Sequence, residues 1–175
     1  MLPLLTASLI AMAVPAADAA CPQGVIDQLD GLYRWQVQRM DADEDQVKAL
    51  SSQRQRFTPS LFELLLQARQ LTPVRDGRYL DFDVFSNTQV ATYGAKVKGC
   101  SAAQGNSIQA EVAVDVGLRG QSSGTPRRLL YELNNSKGSW RINNITYLDA
   151  KLFELRPFLQ KLVHPTPWTT PPRRR

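Results

Sequence analysis

The chain has one histidine, His164, and it stands at the edge of a Pro- and Arg-rich end. That scarcity excludes Ser-His-Asp and Cys-His nucleophilic arrangements and histidine-based metal sites. Gly-rich phosphate loops of either common pattern are missing, as is the nucleophile elbow. Long apolar runs are missing too: the stretch over residues 2–17 is broken by Pro3 and Pro15 and is too short for a stable membrane span. What remains for catalysis is carboxylate chemistry. Asp81, Asp83, Asp115 and Glu132 lie on or near strand-like runs, where an acid in an apolar cavity could act as a base. Alternation places Asp115 and Glu132 on the polar faces of their strands. No catalytic residue, cofactor or metal ligand is assigned on this reading.

Strand signals are concentrated in residues 107–147. Ile108, Ala110, Val112, Val114, Val116 and Leu118 alternate with Gln109, Glu111, Ala113, Asp115 and Gly117, the period of a strand with one buried face. After a turn-forming stretch at 120–126, residues 128–133 predict a second strand, 134–138 a hairpin loop and 139–147 a third strand. Within the third, Trp140 and Ile142 share one face while Ile145 and Tyr147 share the other. That change of parity predicts a bulge at Asn143-Asn144. A further strand over 89–100 leads into the block, with Gly94, Gly99 and Gly105 marking turns or bends. Before it, Leu80, Phe82 and Val84 alternate with Asp81, Asp83 and Phe85, which fits a short edge strand or an extended loop.

Helical periodicity occupies the N-terminal side. Val25, Leu29, Leu32, Tyr33, Val37 and Met40 fall on one stripe, with Asp27, Gln28, Asp30, Arg34, Gln38 and Arg39 turned away and Trp35 beside the stripe. Asp41, Asp43, Glu44 and Asp45 invite a calcium-loop reading that fails, because Gln46 stands where the loop needs Gly and Ser52 where it needs Glu. These acids favour instead the start of a second helix. Thr58-Pro59 predicts an N-cap and first helical position. The following Leu61, Phe62, Leu64, Leu65, Leu66 and Ala68 predict a broadly buried helix between the first helix and the sheet, stopped by Thr72-Pro73. Near the end, Pro157 predicts an irregular turn followed by a short docking helix. A basic amphipathic membrane-surface helix is its rival.

The apolar stretch ends in Ala17-Asp18-Ala19, a small-x-small site, so residues 1–19 are read as a secretory signal peptide. No Lys or Arg precedes the stretch, a departure that a start codon further upstream would account for. Residues 20–163 then form a single domain, and 164–175 a disordered Pro/Arg-rich tail. In an exported chain, periplasmic or secreted, Cys21 and Cys100 pair more often than they stay free. The competing reading is a lipoprotein acylated at Cys21, against which Asp18 stands where that signal wants an aliphatic residue. Formal charge is +5, and removing residues 1–19, with no base and one acid, raises it to +6. Half of that belongs to Arg173, Arg174 and Arg175, so nucleic acid is not implied. A membrane enters only through an acylated Cys21 or through the Arg tail on anionic lipid.

Helices first and a long antiparallel sheet after them predict an α+β fold, N-terminal helices packed across a curved sheet, similar to the cystatin-like or nuclear-transport-factor-2-like roll. Two stretches, Asp81-Phe82-Asp83-x-Phe85-x-x-x-Gln89 and Trp140-x-Ile142-x-Asn144-Ile145-x-Tyr147, resemble the bacterial domain-of-unknown-function family 3828 (DUF3828), exported proteins and lipoproteins of uncharacterised role. The family pattern has acids where Asn144 and Val90 stand. The resemblance implies a fold and an export route, not an activity. Enzymes of the wider roll superfamily work with Asp and His in the pocket, and this chain offers no core histidine. The resulting expectation is a non-catalytic domain binding a small apolar or amphipathic ligand in a roll pocket, or an envelope protein on its sheet surface. Tyr33, Trp35, Phe82, Phe85 and Trp140 are the expected pocket aromatics, with Asp81, Asp83 and Gln89 as polar rim. The alternative is a pocket enzyme using Asp83 or Asp81 as general base.

Overall fold

The first helix forms because its apolar residues recur at helical spacing, and they are the ones it buries. α1 (Gln23–Arg39) turns Val25, Leu29, Leu32 and Tyr33 inward, and the stripe is completed by Gln36. The computed structural model describes residues 20–39, 46–71, 79–149 and 151–165. The expected signal peptide, the acidic run 41–45, the helix stop at Thr72-Pro73 and the residues of the tail beyond Pro165 lie outside these.

After α1 come α2 (Gln46–Ser51), a 3-10 turn (Arg54–Arg56) and α3 (Pro59–Gln70). Six strands follow: β1 (Ala91–Ala102), β2 (Ser107–Leu118), β3 (Gln121–Ser122), β4 (Arg127–Ser136), β5 (Ser139–Tyr147) and β6 (Phe153–Glu154), before α4 (Leu155–Val163). All strand pairs are antiparallel, in the order β1-β2-β4-β5-β6, with β3 paired to the end of β2. The helices pack against one face of this sheet, as the α+β reading expects.

The β2 alternation is realised: Ala110, Val112 and Val114 are fully buried; Ala110 and Val112 lie opposite Tyr131 and Leu129 of β4, which lie opposite Ile145 and Tyr147 of β5 in turn. Each large apolar side chain removed from water in this layer contributes about 1.5–3 kcal/mol. Leu118, the last apolar position of the pattern, is instead 70% exposed. β3 folds back over Gly117 so closely that a Cβ there would lie 2.1 Å from Gln121 O, and the strand loses its inward face at that point. The β4–β5 hairpin is tighter than the expected five-residue loop. Both strands run on until only Lys137 and Gly138 remain between them, with φ of 53° and 81°, the positive pair of a type I′ turn. The bulge lies at Asn143: Glu132 pairs with Asn144 and Leu133 with Ile142, so Asn143 is extra.

One local expectation holds in position only, and two are corrected. Thr58 occupies the N-cap position of α3 but makes no capping bond; its Oγ1 accepts from Arg156 Nη2 at 3.2 Å and lies 3.3 Å from Asn143 Oδ1. α3 has β5, α2 and α4 as its main neighbours, not α1. Residues ahead of α4 pair with β5 as β6, and Pro157 sits within the first turn of an unbroken helix, where its missing N–H costs nothing. Arg156 fastens that helix to the bulge: Nη2 donates to Asn143 Oδ1 at 2.6 Å, Nε to Asn143 O at 3.0 Å.

Cys21 and Cys100 form a disulfide, joining the residues before α1 to β1 across 79 positions. A loop of that size implies stabilisation of about 4–5 kcal/mol on loop-entropy grounds. Paired in this way, Cys21 has no thiol left to acylate.

Candidate functional site

The alternating stretch around Phe82 is not a strand. Asp83 and Thr88 pair as a single bridge, with Asp83 N donating to Thr88 O and Asn87 N to Asp83 O, both at 2.8 Å. Asn87 takes φ 53°, a conformation Asn tolerates better than most residues. Asp83 Oδ1 accepts from Phe85 N at 2.8 Å, the Asx-turn bond that explains an aspartate at the head of the loop. The outcome is a tight turn that pushes Val84, Phe85 and Ser86 into the interior, all three fully buried.

Buried tyrosines hold this turn by its carbonyls. Tyr147 Oη donates to Val84 O at 2.9 Å, and Tyr33 Oη donates to Phe85 O at 2.8 Å. Tyr33 Oη also lies 2.8 Å from Tyr131 Oη. Since the single proton of Tyr33 goes to Phe85 O, Tyr131 is the donor of that pair. Burial pushes all three hydroxyls above the ordinary tyrosine range, and for Tyr33 the neighbouring Tyr131 adds to the effect. Ser86 Oγ, in the same turn, has no hydrogen-bond partner among the described residues.

The Asp83 carboxylate is held by side chains of α1 as well. Its Oδ2 accepts from Gln36 Nε2 and, at 2.8 Å, from Arg39 Nη2, while Arg39 Nε donates to Gln36 Oε1 at 2.8 Å. The Arg39 guanidinium lies 4.9 Å above the Trp35 ring, which meets Phe85 edge-on at 6.0 Å. Arg39 therefore turns inward, against the sequence expectation, because Asp83 from the loop waits beside the end of α1. A carboxylate with three donors on it anchors the loop.

The eight expected site residues fall in four places. Tyr33, Trp35, Asp83 and Phe85 form the loop anchor just described. Phe82, on the same loop, faces another way and packs among Phe158, Tyr147 and Phe153 at ring distances of 5.6, 6.1 and 6.2 Å. Asp81 and Gln89 form its exposed outer side, joined by Gln89 Nε2 donating to Asp81 O at 2.9 Å. Trp140 stands apart, pressed over Gly24 beside a cleft of about 340 Å³. Sequence reasoning missed Gln36, Tyr131 and Tyr147. A glutamine on an apolar stripe and tyrosines at inward strand positions are the available signals, since each must find a polar partner when buried.

Among the described residues, two further clefts lie along the line where α1 crosses β1. β1 carries two bulges, at Tyr93 and at Lys98, and each coincides with a cleft. One, of about 510 Å³, lies between Asp30, Tyr33 and Val37 of α1 and Tyr93, Gly94 and Ala95 of β1. The other, of about 590 Å³, lies beside the disulfide, between Cys21 and Ile26 on one side and residues 96–100 on the other. Bulges bend a strand and re-aim its side chains. Among the described residues no helix is long and apolar enough to cross a membrane, and no three His, Cys, Asp or Glu gather as metal ligands. No protein-family model, curated protein or solved structure matches the chain.

Proposed function

We propose that this chain is an exported, non-catalytic domain that binds a small amphipathic ligand between α1 and β1. The observation that carries the reading is a contrast. Among the described residues, the chain's own Val84, Phe85 and Ser86 are fully buried in the interior, while clefts of about 510 and 590 Å³, the size range of small-molecule sites, lie at the two β1 bulges. The disulfide supports the export route, since such bonds persist in oxidising compartments. The three donors on the Asp83 carboxylate give it a structural role and weigh against a pocket enzyme built on it. Membership of family 3828 belongs to the same proposal.

Native mass spectrometry of the protein purified from its own host without reductant tests this. The expected native species carries an extra mass that leaves on denaturation, and the denatured mass corresponds to an oxidised, unacylated chain starting after residue 19. A bare native chain would refute ligand binding, and an acyl-bearing denatured mass would replace the free domain by a tethered one.

A further inference from the structure

The cleft at the disulfide end is sorted by polarity. Its apolar wall is made by Ile26 in the first turn of α1, by Val97 and by the Cys21–Cys100 bridge. Lys96 and Lys98 stand exposed on its strand side, and Lys98 is the extra residue of the bulge. The lining has one carboxylate, Glu111, and it already has a cation beside it: Arg128 Nε donates to Glu111 Oε1 at 3.0 Å, and Nη2 lies 3.0 Å from the same oxygen. Neither lysine has a hydrogen-bond or ion-pair partner among the described residues. The first turn of α1 carries no acid to answer them. Lysines on an edge strand also discourage pairing with another chain, but that role needs no apolar cleft beside them.

We infer that this cleft binds a monomeric amphipathic anion, with its anionic head between Lys96 and Lys98 and its apolar body against Ile26, Val97 and the disulfide. The inference rests on the reading that the α1–β1 line holds a small ligand, and adds which end holds it and with which charge. Gly99 supplies a way to block the site. No atom lies within 4 Å of where its Cβ would stand, and it borders the cleft. A bulky side chain there enters open space at the border of the cleft instead of the protein's core.

The test is isothermal titration of the oxidised full chain with dodecanoate, dodecyltrimethylammonium and dodecyl maltoside, each below its micelle concentration. Dodecanoate is expected to bind saturably and about tenfold or more tighter than the other two, since two exposed charge contacts are at stake. Lys96→Glu with Lys98→Glu should remove about tenfold of that affinity at unchanged Tm, and Gly99→Trp should abolish it. If the neutral or cationic amphiphile binds equally well and Gly99→Trp still blocks it, the charge inference fails while the ligand reading stands. Dodecanoate binding indifferent to both variants places the site elsewhere and overturns the inference. If none of the three binds, the inference falls, and the native mass from the host decides the reading separately. Co-sedimentation with phosphatidylglycerol vesicles in the absence of monomer binding would overturn it in favour of a membrane surface.

Discussion

Arg39 Nη2 meets Asp83 Oδ2 at 2.8 Å across 44 positions of sequence, with both side chains largely buried. This contact ties the last turn of α1 to the loop that plugs the interior, and the same carboxylate also holds Gln36 and Phe85 N. Asp83→Ala leaves three donors without their acceptor and is expected to cost about 2–4 kcal/mol. Asp83→Asn keeps the volume and part of the bonding and should cost about half as much. Urea unfolding midpoints measure both. A variant as stable as the parent would show that the loop is held without this contact, and would reopen a catalytic role for Asp83.

Two neighbouring changes in the plug have opposite expected signs. Tyr147→Phe strips Val84 O of its donor and should destabilise by about 1–2 kcal/mol. Ser86→Ala removes a buried hydroxyl that has no partner among the described residues, and should leave stability unchanged or raise it by about 1 kcal/mol. Thermal unfolding of both proteins side by side checks the pair. Destabilisation by Ser86→Ala would mean that the hydroxyl is satisfied after all.

How far such features could be read in advance depends on how local their cause is. The β2 alternation and the parity change at Asn143 were legible because a pleat writes its period directly into neighbouring residues. The stretch around Phe82 carries the same alternation for a different reason. It is a turn fixed by Asp83, Asn87 and tyrosines far away in the chain, and it buries Val84 and Phe85 consecutively. Arg39 was assigned to the solvent face for want of its partner, which comes from that turn. Of the expected aromatics, Tyr33 and Phe85 lie in the core: a large ring is a property that core and pocket share. Gly94 and Gly99 did mark bends in β1, but only the register shows that those bends open clefts beside α1.

Alkaline pH should unfold the protein through its tyrosines. Burial raises the folded pKa of Tyr33, Tyr131 and Tyr147 above the ordinary 10.0, so the folded state keeps protons that the unfolded chain releases. Their contribution to stability is complete below pH 10 and is lost as pH rises through the folded values. Above pH 10 each such tyrosine lowers stability by about 1.4 kcal/mol per pH unit. The expected observation is a tyrosinate absorbance whose late component appears together with loss of circular dichroism. Full ionisation of all tyrosines while the fold persists would contradict the buried network.

Gly31 lies in the middle of α1, where glycine costs about 1 kcal/mol against alanine, and its neighbour explains the choice. A Cβ there would stand 2.5 Å from both terminal nitrogens of Arg56, whose Nη1 donates to Gln28 O at 3.1 Å and whose Nε donates to Gln53 Oε1 at 2.7 Å. The glycine leaves room for a guanidinium that ties the 3-10 turn to the backbone of α1. Gly31→Ala gains helix propensity but displaces that group, so its net effect should be zero to about 1 kcal/mol destabilising. In an Arg56→Ala background the obstacle is gone, and the same Gly31→Ala should stabilise by about 1 kcal/mol. The double-mutant cycle therefore predicts a coupling of about 1–2 kcal/mol between the two positions. Equal effects of Gly31→Ala in both backgrounds would show that Arg56 yields freely and that the glycine answers some other constraint.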